Sequence, residues 1–135
     1  MIIGLGSDIV EIARIGQLLE RHGERFLARV FSPRERALAE DRGAGARVAT
    51  LAKRFAAKEA AAKALGCGFR QGVQWHDIEV VNDAMGAPRL ALHGGAAARL
   101  EALAPEGRVA RPHVTLSDER RYALAVVIIE ALAGP

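Results

Sequence analysis

Residues 47–65 read RVATLAKRFAAKEAAAKAL, and this alanine-rich stretch has strong helical propensity along its whole length. Alanine is the best helix former because its side chain loses no rotamer freedom in a helix. Gly66 follows directly, and glycine commonly terminates helices. The stretch therefore predicts the longest helix of the molecule, against which the other elements must pack.

One side of this helix is apolar except for a single acid. At about 100° per residue, five small or apolar residues fall within roughly 60° of one another; they are Val48, Leu51, Phe55, Ala62 and Gly66. Glu59 lies near the centre of that stripe. A carboxylate at a core position needs a cation, so Glu59 is a candidate site residue flanked by Lys63. The alternative is a solvent-exposed Glu59–Lys63 pair at i and i+4, which contributes only about 0.3–0.5 kcal/mol.

A second acid stands among small residues near the start of the chain. Residues 2–10 predict a strand whose alternation places Asp8 on the same side as Gly4 and Gly6. We expect these two glycines to leave open space beside Asp8. A lone aspartate before a helix is also a common helix cap, which is the alternative for Asp8.

Two carboxylates from separate elements suit a hard cation such as Mg²⁺. This ion accepts one or two protein carboxylates and completes its octahedron with water and substrate phosphate. The four histidines show no close metal-ligand spacing, and the single cysteine, Cys67, is interpreted as a small packing residue. Asp8 and Glu59 are therefore the candidate magnesium ligands.

The remaining pattern alternates helices and strands within one domain, residues 1–135. The expected elements are a helix from Ile12, a short helix capped by Ser32, strands at 75–81 and 89–93, a helix after Gly94 and Gly95, and the strands HVTLS and YALAVVII. The last two strands should form a closing hairpin. This order predicts an α+β fold in which an antiparallel sheet packs with helices.

The helix after the first strand is amphipathic, with a basic stripe opposite its apolar side. The stripe consists of Arg14, Leu18, Arg21 and Arg25. It is a candidate surface for an acidic partner of any of the kinds that the composition allows. The alternative is a solvated helix face whose positive charge is partly offset by nearby glutamates.

Composition restricts the class of partner without choosing one. The chain has 135 residues, a net charge of +3 and a pI of about 9.6, which favour nucleic acid, phosphorylated ligands or acidic proteins. A basic nucleic-acid-binding module is the main alternative function. One Trp, one Tyr and four Phe, without a surface cluster, do not predict the aromatic platform of single-strand binders.

The cellular location is inferred from what the sequence does not contain. No apolar run approaches the roughly 20 residues that span a bilayer, and the first segment predicts a core strand instead of a secretory signal. One cysteine excludes an internal disulfide. We therefore expect a cytoplasmic protein without a membrane segment.

Four segments together resemble a known family over essentially the whole chain. They are GLGSDIVEIARI, RFAAKEAAAKALG, NDAMGAPRL and HVTLSDE. In this order and spacing they resemble the holo-acyl-carrier-protein synthases, the short trimeric class of 4′-phosphopantetheinyl transferases. The resemblance implies the 4′-phosphopantetheinyl transferase fold and Mg²⁺-dependent transfer of phosphopantetheine from coenzyme A to a serine of apo acyl carrier protein, releasing 3′,5′-ADP. It also implies a homotrimer with sites at subunit interfaces, and no nucleic-acid partner.

The same resemblance suggests roles for individual residues. Asp8 and Glu59 would hold Mg²⁺, and Lys63 would approach the phosphates; these three are the expected catalytic residues. Positions around coenzyme A are matched by Arg54, Gly86, Pro88, His113 and Ser117. With these residues intact, an inactive trimer that merely keeps the fold is disfavoured.

The sequence departs from the family pattern after its last motif. The family often has His after the Leu-Ser pair, whereas this chain has Asp118 followed by Glu119. A direct role of that turn in proton transfer is therefore not implied.

Overall fold

The computed structural model, which describes all residues from 1 to 135, contains five α-helices, one 3₁₀ turn and five strands. In chain order they are β1 (Ile2–Glu11), α1 (Ile12–His22), α2 (Glu24–Val30), α3 (Pro33–Asp41), α4 (Ala44–Ala64), a 3₁₀ turn (Trp75–Asp77), β2 (Ile78–Asn82), β3 (Pro88–Leu92), α5 (Gly94–Leu103), β4 (Arg108–Asp118) and β5 (Tyr122–Ala133). The α+β class and the antiparallel sheet are confirmed.

The strands form two antiparallel sheets. The larger sheet has the order β1-β5-β4, and β2 pairs with β3 in the smaller one. The closing hairpin is confirmed, although β4 begins at Arg108, before the expected segment HVTLS. The sequence VARP at its start lacks a clear strand signal because a proline interrupts it.

Helix α4 is the centre of the core and packs on one face of the larger sheet. Its expected position is confirmed, but it begins at Ala44, three residues before the predicted start at Arg47. The long row of alanines is buried against β1 and β5. Small side chains on α4 let the helix approach the sheet closely. The glycines of β1, which have no side chain, shorten the distance between helix and sheet further.

Helix α4 occupies the space beside the glycines of β1, so no open space remains there. A Cβ atom on Gly6 would lie 2.0 Å from the backbone oxygen of Ala60, and one on Gly4 would lie 2.4 Å from that of Ala64. The expectation of open space beside Asp8 was therefore wrong on the glycine side. The contact is instead a backbone-to-backbone approach of β1 and α4, which only glycine permits.

The basic stripe is divided between two helices. Gly23 has a φ of 46° and ends α1 after His22, so Arg25 lies at the start of α2. The expectation of one continuous helix bearing the whole stripe was wrong. A positive φ is accessible to glycine without steric cost, which explains why the chain turns at this residue.

The other helices show smaller departures from expectation. Ser32 caps α3, and Glu35 completes a capping box. Residues 75–77 form a 3₁₀ turn before β2, and α5 begins at Gly94 itself. No helix is both long and apolar enough to cross a membrane.

The face of the larger sheet that points away from α4 remains exposed and largely apolar. We call it the outer sheet face, and its large exposed apolar residues are Leu5, Ile9, Val109, Tyr122 and Leu124. Leu5 and Ile9 are 67% and 62% exposed. Residues alternating with these on β5, such as Ala123 and Ala125, are fully buried beneath α4.

Candidate active site

Asp8 and Lys63 meet where β1 crosses α4. The Nζ atom of Lys63 lies 3.2 Å from Oδ1 of Asp8 and donates a second hydrogen bond of 2.9 Å to the backbone oxygen of Ser7. Lys63 therefore pairs with β1. The surface pair between Lys63 and Glu59, which was the alternative from sequence, is not formed.

Glu59 lies beside this pair in a half-buried position on α4. Burial raises the pKa of its carboxyl, and the negative charge of Asp8 raises it further, whereas Lys63 and Arg14 act in the opposite direction. Glu59 makes no salt bridge of its own. The structure thus brings together Asp8, Glu59 and Lys63, as the sequence predicted, and adds Arg14 to them.

The close contact of strand and helix explains this convergence. The Cβ atom of Lys63 lies 3.0 Å from the position that a Cβ on Gly6 would occupy. Asp8 follows two residues later on the same side of β1, and Glu59 precedes Lys63 by one helical turn. Because no side chain separates β1 from α4 at Gly6, the two acids come within electrostatic range of each other.

The donor set of this site fits a magnesium ion. Two carboxylates that repel each other in a half-buried site gain from a hard cation between them. No group of three or more His, Cys, Asp or Glu side chains that could hold a metal occurs in the structure. The protein would supply two ligands and leave the remaining positions to water and substrate phosphate, as Mg²⁺ commonly requires.

A second cluster of predicted residues surrounds a small cationic cavity. The cavity has a volume of about 200 Å³ and is lined by Arg42, Lys53, Arg54, Asn82, Gly86, Pro88 and Leu116. Three of the five positions assigned to coenzyme A by resemblance therefore lie together, namely Arg54, Gly86 and Pro88. They come from α4 and from the turn between β2 and β3.

Arg54 is the most unusual group in this cavity. It is only 3% exposed, and burial lowers the pKa of its guanidinium. Its Nη2 atom donates to Oδ1 of Asn82 at 3.4 Å, while its Nε has no hydrogen-bond partner. A buried cation with an unused donor, beside Lys53 and Arg42, is suited to an anionic ligand.

Sequence reasoning missed the other polar residues of the cavity. Arg42 and Asn82 lie far apart in the chain, and Asn82 gave only a turn signal. Lys53 forms an ion pair with Asp118 at 3.2 Å. Asp118, the residue that differs from the family pattern, therefore pairs with Lys53 at the rim of the cavity.

His113 and Ser117 lie elsewhere within a single chain. Both are on β4 and alternate with Leu116, and they are exposed on the outer sheet face. Nε2 of His113 lies 3.2 Å from Oε1 of Glu130 on β5. The structure does not bring these two residues to the cavity around Arg54 in the same subunit.

The basic stripe forms one surface across the break between α1 and α2, and we call it the basic surface. A groove of about 330 Å³ is lined by Leu18, His22, Arg25, Phe26 and Arg29. Arg14 and Arg21 are exposed along α1. Arg14 also lies with its guanidinium carbon 6.0 Å from the ring centre of Phe55, which connects this surface to the acidic site at Glu59.

Known proteins are similar to this chain in both fold and sequence. The sequence model of the 4′-phosphopantetheinyl transferase superfamily matches residues 4–127. A holo-[acyl-carrier-protein] synthase of Methylobacterium sp. is 59% identical over 132 residues, covering 98% of this chain and 96% of the relative. The corresponding synthase structure from Neisseria meningitidis has a TM-score of 0.81 at 41% identity, covering 96% of this chain and 99% of its own.

A further solved structure carries a ligand. The holo-[acyl-carrier-protein] synthase of Helicobacter pylori, in complex with coenzyme A, has a TM-score of 0.78 at 29% identity and covers 93% of this chain and 99% of its own. Fold, sequence and the convergence of Asp8 with Glu59 agree. The chain therefore belongs to the 4′-phosphopantetheinyl transferase superfamily and, within it, to the holo-[acyl-carrier-protein] synthases.

Proposed function

We propose that this chain transfers 4′-phosphopantetheine from coenzyme A to a serine of apo acyl carrier protein in a Mg²⁺-dependent reaction that releases 3′,5′-ADP. The holo carrier protein would then serve fatty acid or polyketide synthesis. The observation that carries the proposal is the convergence of Asp8 and Glu59, with Lys63 beside them. The relatives' name and the bound coenzyme A of the Helicobacter pylori structure support the substrate pair.

The roles of the site residues follow from phosphoryl-transfer chemistry, which depends on alignment and charge neutralisation. The serine hydroxyl attacks the β-phosphorus of coenzyme A, and the bond from that phosphorus to the bridging oxygen breaks. Asp8 and Glu59 would hold Mg²⁺, and the ion would supply positive charge to neutralise the diphosphate. Lys63, 53% exposed and already beside Asp8, would neutralise the departing phosphate.

Glu59 is our candidate for accepting the serine proton. Its half-buried carboxyl has a raised pKa, which makes it a better proton acceptor than an ordinary glutamate. A carboxylate that also binds a metal is a weakened base, so a water molecule between Glu59 and the hydroxyl is the competing acceptor.

The cavity around Arg54 is our proposed site for the nucleotide end of coenzyme A. Three cations line it, and Gly86 and Pro88 form its wall at the hairpin turn. Phosphate oxygens would pair with the positive charges of Arg42, Lys53 and Arg54, which line the cavity. His113 and Ser117, which face away from this cavity, would contribute to it from a neighbouring subunit.

The central experiment is direct transfer to a carrier protein. We expect the protein to add a phosphopantetheine mass to apo acyl carrier protein when coenzyme A and Mg²⁺ are present, and to lose this activity when a chelator removes the metal. Mass spectrometry of the carrier measures both. Absence of modification with all components present would contradict the proposed function. Tight, salt-sensitive binding of DNA or RNA without coenzyme A binding would favour the nucleic-acid alternative.

We propose that the acidic carrier protein docks on the basic surface formed by α1 and α2. Four residues predicted for this contact, Arg14, Leu18, Arg21 and Arg25, lie on these helices, and the groove between them adds Phe26 and Arg29. An apolar floor rimmed by arginines complements an acidic amphipathic helix.

Reversal of two of these charges should raise the KM for carrier protein without a comparable change in the KM for coenzyme A. In the Arg21→Glu, Arg25→Glu double variant, which leaves Arg14 beside Glu59 intact, we expect the KM for carrier protein to rise by about tenfold or more, because each reversal replaces attraction by repulsion. The KM for coenzyme A should change little. Steady-state kinetics with each substrate varied in turn provide the measurement, and an Arg34→Glu, Arg108→Glu double variant, at two other exposed positions, is the control with the same change in net charge. Equal increases in both KM values would contradict the docking surface.

We further propose that the chain assembles as a homotrimer through the outer sheet face, with active sites at the subunit interfaces. The exposure of Leu5 and Ile9 on β1, beside exposed apolar residues of β5, supports this, because contiguous apolar patches of this kind usually mark interfaces. A cytoplasmic location remains a prediction from the sequence.

A further inference from the structure

A fully buried ion pair joins α3 to α4 away from the proposed magnesium site. Glu35 and Lys58 are both 0% exposed in their side chains, and Nζ of Lys58 lies 2.9 Å from Oε1 of Glu35. The same Nζ atom donates to the backbone oxygen of Trp75 at 3.2 Å and to that of Ile78. All three protons of the buried ammonium group thus have partners from other elements.

The carboxylate of Glu35 is equally well satisfied. Its Oε1 accepts a hydrogen bond of 2.8 Å from the backbone N–H of Ser32 in the capping box of α3. Its Oε2 accepts a bond of 2.9 Å from the backbone N–H of Val80. One ion pair therefore connects the beginning of α3, the middle of α4, the 3₁₀ turn and β2.

These contacts replace a missing strand beside β2. This strand pairs only with β3, so its other edge has no strand to satisfy its backbone. On that edge the carbonyl of Ile78 accepts from Lys58 and the N–H of Val80 donates to Glu35. Both Ile78 and Val80 are buried, where unpaired backbone groups are costly.

The hairpin held in this way forms one wall of the cationic cavity. On the hairpin, Asn82 ends β2, Gly86 lies in the turn and Pro88 begins β3. Helix α4 supplies Lys53 and Arg54 from the facing wall. The direct contact between the walls is the long hydrogen bond from Arg54 to Asn82. Lys58 lies one helical turn after Arg54, so the ion pair fixes the hairpin close to the position where the cavity opens.

We infer that Glu35 and Lys58 are positioning residues, whose ion pair docks the β2–β3 hairpin on α4 and thereby sets the geometry of the cationic cavity that binds coenzyme A. The inference rests on the proposed function of that cavity. An apolar pair could fill the same volume, but it could not satisfy the edge of β2. Loss of the pair should therefore loosen the hairpin even where the fold survives.

The experiment compares a neutral double variant with a matched control. Glu35→Gln with Lys58→Met removes both charges together, so that neither is left unpaired in the core. Glu40→Gln with Arg47→Met removes an ion pair of 2.6 Å that joins the same two helices at the surface and does not contact the hairpin. Circular dichroism establishes folding, and steady-state kinetics give KM for each substrate.

We expect the buried double variant to raise the KM for coenzyme A by about tenfold or more, with kcat and the KM for carrier protein changed by less than about threefold. The control should match the wild type. A folded double variant with an unchanged KM for coenzyme A overturns the inference alone, whereas a wild type without transfer activity overturns the proposed function as well.

Hydrogen exchange of the wild-type protein tests the same contact without a variant, and it decides the matter if the double variant does not fold. The Val80 amide should be as strongly protected as the core amides of α4, because a buried carboxylate accepts its hydrogen bond. Exchange at the rate of the exposed amides of Ala44 and Gly45, which have no hydrogen-bond partner at the start of α4, would overturn the inference.

Discussion

Replacement of Glu59 by Gln should reduce phosphopantetheine transfer by about 10²–10³-fold, which is the usual cost of removing one preorganised electrostatic group from an active site. The substitution keeps the size of the side chain and removes its charge. Asp8 would then be the only carboxylate left to hold Mg²⁺. The mass-spectrometric transfer assay measures the loss, with Glu101→Gln on α5 as a control for removal of a helical carboxylate.

The same variant should fold at least as well as the wild type. The pKa of Glu59 is raised in the folded protein, so its charged form opposes folding, and this opposition grows as the pH rises through the raised pKa. Gln removes that cost. We therefore expect the melting temperature without metal to be equal or higher, and the stabilisation by Mg²⁺ to be lost. Wild-type transfer rates in the Glu59→Gln variant would contradict the metal assignment.

The two acids could be found from the sequence because each violates its local pattern. Glu59 interrupts an apolar helical stripe, and Asp8 is the one charge on a glycine-containing strand side. Their proximity could not be found in this way. It depends on Gly6 meeting the backbone of Ala60, a contact between residues more than fifty positions apart. For the same reason the glycines were misinterpreted, since a strand pattern does not reveal which helix will cover it.

The grouping of residues around the cationic cavity could not be predicted from sequence patterns. Arg54 could be assigned only by resemblance, because nothing in the alanine-rich helix sequence indicates that Arg54 is buried while Arg47 lies at the surface. Its surroundings come from a hairpin and a loop that are remote in the chain, and Asn82 reaches Arg54 only after folding. The ion pair of Glu35 with Lys58 was equally hidden, because their spacing of 23 residues, from 35 to 58, matches no helical or strand period.

The outer sheet face was visible in the alternation of β1 but could not be interpreted there. One side of β1 had to face the core, and both sides carry small or apolar residues. The structure shows that the glycine side meets α4, which leaves Leu5 and Ile9 exposed. The side with the larger apolar residues is thus the solvent side of the isolated chain, which is the opposite of the usual rule.

Charges on the outer sheet face should dissociate the proposed trimer. Leu5→Lys with Ile9→Lys alters side chains that are 67% and 62% exposed in one chain, so folding of the subunit should be nearly unaffected. In an assembled interface the same lysines would be buried without partners, at a cost of several kcal/mol. Sedimentation equilibrium should show a fall from about three chain masses to one, and one chain is 14.4 kDa.

Activity provides the second readout of this variant. His113 and Ser117 lie on the outer sheet face, away from the cavity around Arg54 in the same chain. If a neighbouring subunit brings them to that cavity, dissociation should abolish transfer although Asp8, Glu59 and Lys63 are untouched. Met85→Lys, which changes an apolar side chain 93% exposed at the hairpin turn, should leave the mass unchanged. A folded monomer that retains full transfer activity would show that each chain contains a complete site, and the proposal of shared sites would then be wrong.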